Sequence, residues 1–251
     1  MSRRRAPTEA ENTGLKLTYL KGNELFQDFT PEQLEPFHHT IRMATCPGWP
    51  RSRAAADRQY RGRRGGTRVE AHVADVDSVL AASREAVQRL IATAASTGPA
   101  WATPPAPGKW SPSQIVEHVA RSFDASTDAA ASRPTAFPRL PAILHPVLRV
   151  VLRRMLKRGV LPNGKTTKAM NPIDGPATPA AGRARLEAAH ERYETACREL
   201  AARGAPMRTT MFGPVPVEDF IRFMELHTRH HHQQIGAKRG DQQSVAIATQ
   251  A

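Results

Sequence analysis

Apolar residues recur at intervals of three and four along four long segments of the chain, which is the spacing of one face of an α-helix. No segment alternates between apolar and polar residues over a useful length. The pattern therefore predicts an all-α fold, a four-helix bundle whose core is formed by the four apolar faces. Those faces are Val73, Val76, Leu80, Val87 and Ile91; Ile115, Val116, Val119 and Phe123; Leu186, Ala189, Tyr193, Cys197 and Leu200; and Val217, Phe220 and Met224.

Local signals at the helix ends support this division. The second helix has the clearest start, because Ser111 is a favourable N-cap, Pro112 suits the first turn, and Gln114 can complete a capping box. The other three helices are predicted from about Thr67 to Gly98, from Thr178 to Gly204, and from about Pro216 to about Gly240.

The chain divides into three parts. Residues 1–66 show little periodicity, so we expect a mostly irregular extension, either a flexible tail or upstream sequence translated from a misassigned start. Residues 67–240 make the bundle, and residues 241–251 are expected to form a flexible tail. A basic insertion separates the second and third helices of the bundle. Within it, Pro146 to Arg158 is predicted to form an amphipathic helix.

The net charge of +13 is concentrated in two stretches. Residues 51–68 hold seven arginines against Asp57 alone, and residues 129–173 hold nine basic residues and no acidic one. The rest of the chain is close to neutral, so the charge belongs to the extension and the insertion. Because these stretches contain no recognition motif, we expect no specific nucleic-acid partner, although a basic nucleic-acid-binding protein stays an alternative.

Few sequence features bear on cellular location. No apolar run reaches the roughly 18 residues that a spanning helix needs, and the N-terminus lacks the apolar centre of a secretory signal. The two cysteines, Cys46 and Cys197, suggest no disulfide framework. We therefore expect a cytoplasmic protein, and the sequence leaves open whether it forms a homodimer.

The apolar face of the fourth helix continues into two histidines. His227 and His231 follow Met224 at helical spacing, and they lie only about 40° apart around the helix. Both imidazoles are therefore expected to point toward the core, where each ring nitrogen needs a partner and two charged rings would repel each other. A shared metal ion resolves this conflict, because it binds neutral imidazoles as ligands.

A third ligand is expected from another helix, and His118 is the best candidate. It lies among apolar residues, two turns inside the well-capped second helix. Two alternatives stay open. His227 and His230 also form a geometrically suitable pair, and His230 to His232 can form a surface cluster that binds metal adventitiously. The remaining histidines are weaker candidates: His38, His39, His72, His145 and His190.

Structural roles are predicted for other residues that carry chemistry. Glu117 and Glu225 lie beside ligand positions but off the histidine face, so we expect them to face away. Trp110 is expected to anchor the start of the second helix, and Cys197 to pack in the core. His190 is flanked by glutamates in sequence, and we predict that it lies on a solvated side of the third helix.

Three motifs follow one another along the chain: GKWSPSQIVEHVA (Gly108 to Ala120), FGPVPVEDF (Phe212 to Phe220) and LHTRHHHQQI (Leu226 to Ile235). In this order they resemble the motifs of the DinB/YfiT-like metalloprotein superfamily of bacteria. The resemblance implies a DinB-like four-helix bundle, and it implies that the metal ligands are His118, His227 and His231, with Gln234 in the position that trails them. The extension before Thr67 has no recognised counterpart.

The resemblance also implies a chemistry for the site. Three histidine ligands leave at least one coordination position open, as in catalytic sites, and Zn²⁺ and Ni²⁺ both suit imidazole ligands. Members of the superfamily include thiol-dependent S-transferases and isomerases that use a low-molecular-weight thiol. We therefore expect a metal-dependent reaction between a small thiol and an electrophilic substrate. A non-catalytic, metal-stabilised scaffold is the alternative.

Overall fold

The computed structural model describes residues 67–161 and 166–249 of the chain. The described residues are mostly helical, and the predicted all-α fold is confirmed. The elements are α1 (Thr67–Ala95), α2 (Pro112–Ala130), α3 (His145–Arg158), α4 (Pro179–Ala202), β1 (Met207–Thr209), β2 (Gly213–Val215) and α5 (Val217–Thr249), with 3-10 turns at Gly98–Ala102, Ala142–Leu144 and Lys168–Met170.

The four long helices α1, α2, α4 and α5 form the bundle. Helix α1 packs on both α4 and α5, and α2 packs mainly on α4 while also contacting α5. Every side chain of the predicted apolar faces that the structure describes is buried, and Val73 lies outside the described side chains. Burial of these side chains from all four helices drives their association, since each fully buried large aliphatic or aromatic side chain contributes about 1.5–3 kcal/mol.

The start of α2 has the capping box that its sequence predicts. The Gln114 backbone N–H donates to Ser111 Oγ, and the Ser111 backbone N–H donates to Gln114 Oε1. Two amides that would otherwise lack helical partners are thereby satisfied. The capping box fixes the first turn of α2, and His118 lies on the next turn.

The basic insertion contributes α3, as its amphipathic pattern predicts. Val147, Leu148 and Leu152 are buried, and the helix packs against α5. Gly159 ends the helix in the left-handed conformation, with φ of 64°, and Arg229 of α5 donates to its carbonyl oxygen at 3.0 Å. The last turn of α3 therefore lies beside the part of α5 that carries the histidines.

A short β-hairpin that the sequence pattern did not predict joins α4 to α5. Its strands β1 and β2 are antiparallel and pair Met207 with Val215. Each strand has only three residues, which is too short for apolar and polar positions to show a period of two. Met207 and Val215 are both buried, so the hairpin closes one end of the core.

The segment 166–178, which we call the strap, crosses the beginning of α2 before α4 starts. Gln114 Nε2 donates to the carbonyl oxygen of Ile173, and Trp101 Nε1 donates to that of Pro176. A Cβ atom at Gly175 would collide with the backbone carbonyl of Ser113. The close approach of the two backbones therefore requires glycine at this position.

Some predictions fall outside the described residues or differ from what is observed. The extension 1–66 lies outside them, and the division into residues 1–66, 67–240 and 241–251 stays a prediction. Helix α5 continues to Thr249, past the end predicted near Gly240. Among the described helices, none combines the length and the apolar character that crossing a membrane would require.

Candidate metal centre

The fold brings His118 of α2 together with His227 and His231 of α5. His227 Nε2 lies 3.2 Å from His118 Nε2 and 3.1 Å from His231 Nε2. One ring nitrogen from each of the three histidines lies within 4.8 Å of the other two. We call these three residues the metal-site cluster. The sequence pattern predicted these histidines, and the structure places them where one ion could contact all three.

Hydrogen bonds at the far side of two rings determine which nitrogen carries the proton. His118 Nδ1 lies 2.9 Å from the carbonyl oxygen of Met170 in the strap, and His231 Nδ1 lies 3.0 Å from Gln234 Oε1. Both partners are acceptors, so both Nδ1 atoms carry the hydrogen. In the neutral rings of His118 and His231, Nε2 therefore presents a lone pair to the centre of the cluster.

Hydrogen bonding alone does not satisfy His227. Its Nε2 faces two acceptor nitrogens, and a neutral ring has one proton to offer them. Its buried Nδ1 has no hydrogen-bond partner among the described residues. If His227 carries its hydrogen on Nδ1, both contacts of its Nε2 at about 3 Å bring two lone pairs together; if the hydrogen is on Nε2, one hydrogen serves two acceptors and Nδ1 has no donor. Neither form satisfies the cluster by hydrogen bonds alone, and this favours a cation at its centre.

The spacing of the three nitrogens suits a tetrahedral ion. Zn–N bonds of about 2.0–2.1 Å at tetrahedral angles put ligand nitrogens about 3.3 Å apart. The two measured separations of 3.1 and 3.2 Å are close to this value. Two of the three nitrogen pairs therefore have a spacing that one ion can bridge, and the ligand nitrogens of all three histidines lie within 4.8 Å of one another.

The surroundings keep all three rings neutral. Burial lowers the pKa of His118, His227 and His231 from the usual histidine value. For His227 and His231 the neighbouring histidines lower the pKa further, because a second positive charge nearby is unfavourable. Neutral imidazole is the form that binds a metal ion.

The comparison with protein families decides which group the chain belongs to. The model of the DinB superfamily matches residues 80–235, which is more than half of the chain and includes the whole metal-site cluster. The chain belongs to the DinB superfamily. No curated protein and no solved structure matches it.

In this DinB-superfamily chain, Trp110 forms one wall of the metal-site cluster. The centroid of its ring system lies 4.7 Å from that of His118 and 6.1 Å from that of His231. Its Nε1 donates to Asn171 Oδ1 in the strap at 3.1 Å. Trp110 was expected to anchor the start of α2, and its ring in addition contacts two of the histidines. The contact with His231 depends on the approach of α5, which the local sequence does not reveal.

The two glutamates beside the ligand positions face away from the cluster, as predicted. Glu117 forms ion pairs with Arg121 at 2.8 Å and with Arg185 at 3.3 Å. Glu225 pairs with Arg229 at 3.1 Å. Both carboxylates are therefore held by arginines.

Cys197 and His190 both lie in the core of the DinB-superfamily bundle, although only Cys197 was expected there. Burial raises the pKa of the Cys197 thiol to about 12, which fits a packing role. His190 is also buried, so its predicted solvated position is wrong. The glutamates around it in sequence suggested an exposed face, but Glu194 is itself buried.

His190 is part of a second buried polar cluster, together with Ser83 of α1 and Glu194 of α4. Its Nε2 lies 3.0 Å from Ser83 Oγ, and its Nδ1 lies 3.3 Å from Glu194 Oε1. Arg84 and Arg198 contact the other carboxylate oxygen at 2.6 and 3.1 Å. We call Ser83, His190 and Glu194 the core cluster. Ser83 is fully buried, so this hydroxyl has no access to a substrate.

The other histidines make contacts outside the metal-site cluster. His230 Nε2 bonds Gln234, His232 Nε2 bonds Thr93 of α1, and His145 Nε2 lies 3.3 Å from the carbonyl oxygen of Thr210. The sequence left open whether His227 pairs with His230 or with His231. In the structure, His227 and His231 are the two that lie beside His118. The side chains of His38, His39 and His72 lie outside the described part of the chain.

Proposed function

We propose that His118, His227 and His231 bind one divalent metal ion, Zn²⁺ or Ni²⁺, and that the centre supports a thiol-dependent S-transfer reaction. The observation that carries the proposal is the convergence of three Nε2 atoms, 3.1–3.2 Å apart in two pairs, with too few protons to satisfy one another. A bound divalent ion supplies Lewis acidity, which lowers the pKa of a coordinated thiol.

The residues of the chain hold this centre in a defined orientation. The Met170 carbonyl oxygen and the Gln234 amide oxygen accept the Nδ1 protons of His118 and His231, which leaves Nε2 of each ring free. The Trp110 ring lies against the His118 ring, with centroids 4.7 Å apart. Three histidine ligands leave a coordination position for a substrate atom.

The lack of a free carboxylate beside the cluster favours a thiol over water as the nucleophile. Among the described residues no Asp or Glu belongs to the metal-site cluster, and the adjacent Glu117 and Glu225 are paired with arginines. In the part of the chain whose side chains are described, neither of these two carboxylates is therefore free to take a proton from the nucleophile. A small thiol, with a pKa of about 8.5, needs a much smaller shift to ionise at neutral pH than water at about 15.7. In the proposed reaction the thiol gives up its proton to solvent, and its sulfur forms a bond to an electrophilic carbon of the second substrate as the bond from that carbon to its leaving group breaks and the leaving group departs with the electron pair.

Metal quantification on protein purified without a histidine tag tests the proposal. We expect about one Zn²⁺ or Ni²⁺ per wild-type chain and loss of stoichiometric metal in His118→Ala. His145→Ala is the matched control, because His145 lies outside the cluster, and it should keep its metal. Equal metal content in all three proteins would contradict the proposal. For the wild type with metal, turnover with low-molecular-weight thiols and an alkylating electrophile tests the S-transfer step.

The burial of the site supports a second candidate, a metal-stabilised scaffold. His118 and His231 are only 4% and 6% exposed, and the cluster joins α2 to α5 while Met170 adds the strap. An ion held there would cross-link three parts of the fold. Metal that raises the melting temperature in a protein with no thiol-dependent turnover would favour this candidate.

A further inference from the structure

The three histidines of the metal-site cluster are supported in different ways. A backbone carbonyl, that of Met170, accepts the Nδ1 hydrogen of His118. A side chain, that of Gln234, accepts the Nδ1 hydrogen of His231. The Nδ1 atom of His227 has no partner among the described residues. Gln234 is therefore the one side-chain support of the cluster in the described structure.

The support from Gln234 has a direction, because an amide has an acceptor end and a donor end. Oε1 accepts from His231 at 3.0 Å, and Nε2 donates to His230 Nε2 at 2.9 Å. If the amide turned over, its NH₂ group would face the Nδ1–H of His231, and two donors would meet. With Oε1 toward His231, the NH₂ group faces His230 Nε2, which accepts from it when His230 carries its own hydrogen on Nδ1.

The spacing on α5 makes this chain of contacts local and rigid. Gln234 lies three residues after His231 and four after His230, and both spacings bring side chains together on one helix. The rings of His230 and His231 stand nearly perpendicular, with centroids 5.3 Å apart. Gln234 is partly buried between them, whereas its neighbour Gln233 is exposed.

We propose that Gln234, oriented by His230, is a positioning residue that holds His231 as the Nδ1–H tautomer and so presents its Nε2 to the metal. This proposal rests on the metal site proposed above. A ligand histidine commonly donates its second ring N–H to such a partner, and loss of the partner lowers metal affinity about 10- to 100-fold. Gln234 therefore sets how tightly the site binds its ion.

The two adjacent glutamines allow a matched test by Zn²⁺ competition with a chromophoric chelator. Gln234→Leu should weaken binding about 10- to 100-fold, and Gln233→Leu should leave it unchanged. Gln234→Glu should bind within a few-fold of the wild type, because its carboxylate still accepts from His231. His230→Ala should weaken binding by a smaller factor than Gln234→Leu, because the amide is then free to turn over. Circular dichroism of each variant checks that the helices are retained.

A measurement on metal-free protein separates this proposal from the metal site itself. Two-bond ¹⁵N–¹H correlation spectra of the imidazoles report which ring nitrogen carries the hydrogen. We expect His231 to be protonated at Nδ1 in the wild type and in Gln233→Leu, and to populate both tautomers in Gln234→Leu. An unchanged tautomer together with unchanged Zn²⁺ affinity in Gln234→Leu would overturn the positioning role. A wild type that binds no Zn²⁺ would overturn the metal site, and the tautomer result would still decide what Gln234 does.

Discussion

The metal-site cluster and the core cluster are both built around a buried histidine and a neighbour four residues away on one helix. In the core cluster the neighbour of His190 is Glu194, whose charge is balanced by Arg84 and Arg198. In the metal-site cluster the neighbour of His227 is the imidazole of His231. A third imidazole, that of His118, approaches from α2.

The difference shows what completes each cluster. Ser83 Oγ hydrogen-bonds one nitrogen of His190, and the charges beside the other nitrogen come from the protein itself, since Glu194 is paired with Arg84 and Arg198. Glu194 Oε1 has no hydrogen-bond partner among the described residues, so the balance in the core cluster is one of charge. The metal-site cluster has three imidazole nitrogens facing one another and no acid within it among the described residues. The first arrangement is balanced by its own charged groups, whereas the second favours a cation. Burial of a histidine alone therefore does not indicate its role.

The largest predicted difference is in how much the free energy of unfolding of the metal-free protein falls when a histidine is removed from each cluster. His190→Ala should lower the free energy of unfolding by about 4 kcal/mol, because it leaves a cavity and removes the buried partner of Ser83 and Glu194. In metal-free protein, His227→Ala should cost at most about 1 kcal/mol, since the lost packing is offset by removal of an unpaired ring nitrogen. Urea denaturation in the presence of a chelator measures both values.

Excess Zn²⁺ sharpens this contrast. At a free concentration 100 times the dissociation constant, the ion should stabilise the wild type and His190→Ala by about 2.7 kcal/mol and leave His227→Ala unaffected. Equal stabilisation of His190→Ala and His227→Ala would remove the distinction between the clusters.

The next largest effect should be in the pH dependence of stability. Burial lowers the pKa of His190 from 6.5 to about 4, and this outweighs the opposing effect of Glu194. Because the folded pKa is below the unfolded one, the contribution of His190 is complete above pH 6.5 and is lost as the pH falls toward 4. The full loss is about 3 kcal/mol at about 1.4 kcal/mol per pKa unit. His190→Gln should therefore lose less stability than the wild type between these pH values, and parallel curves would contradict this account.

The smallest effect on stability should come from removing the N-cap side chains of the two helices, α2 and α4, that carry His118 and His190. Ser111 caps α2, which carries His118, and Thr178 caps α4, which carries His190. Ser111→Ala and Thr178→Ala should each lower the free energy of unfolding by about 1 kcal/mol. Because His118 lies on α2, only Ser111→Ala should also weaken Zn²⁺ binding, by a few-fold. A chelator-competition assay beside the urea curves measures both, and equal metal affinities would show that the cap does not help to hold His118.

The sequence could predict what depends on a single helix. The apolar face through Met224 predicted that His227 and His231 point inward toward one site, and the capping signal at Ser111 located the start of α2. Between helices, the sequence predicted that His118 meets these two histidines, but it did not predict the other contacts of the two clusters. The glutamates around His190 suggested exposure, because the charge of Arg84 comes from α1, a distant part of the chain. Trp110 meets His231 only because α5 packs beside the start of α2, and the Met170 carbonyl meets His118 only because of the position of the strap.

The support of His118 by Met170 makes the site sensitive to loop length rather than to side-chain identity. The acceptor is a backbone oxygen, so any amino acid at position 170 keeps it, whereas adding or deleting one residue in the strap would shift it along the chain. The close approach of Gly175 to Ser113 fixes the register on the other side of that carbonyl. Insertions and deletions within the strap should therefore displace the acceptor of His118, and a survey of substitutions alone would overlook them.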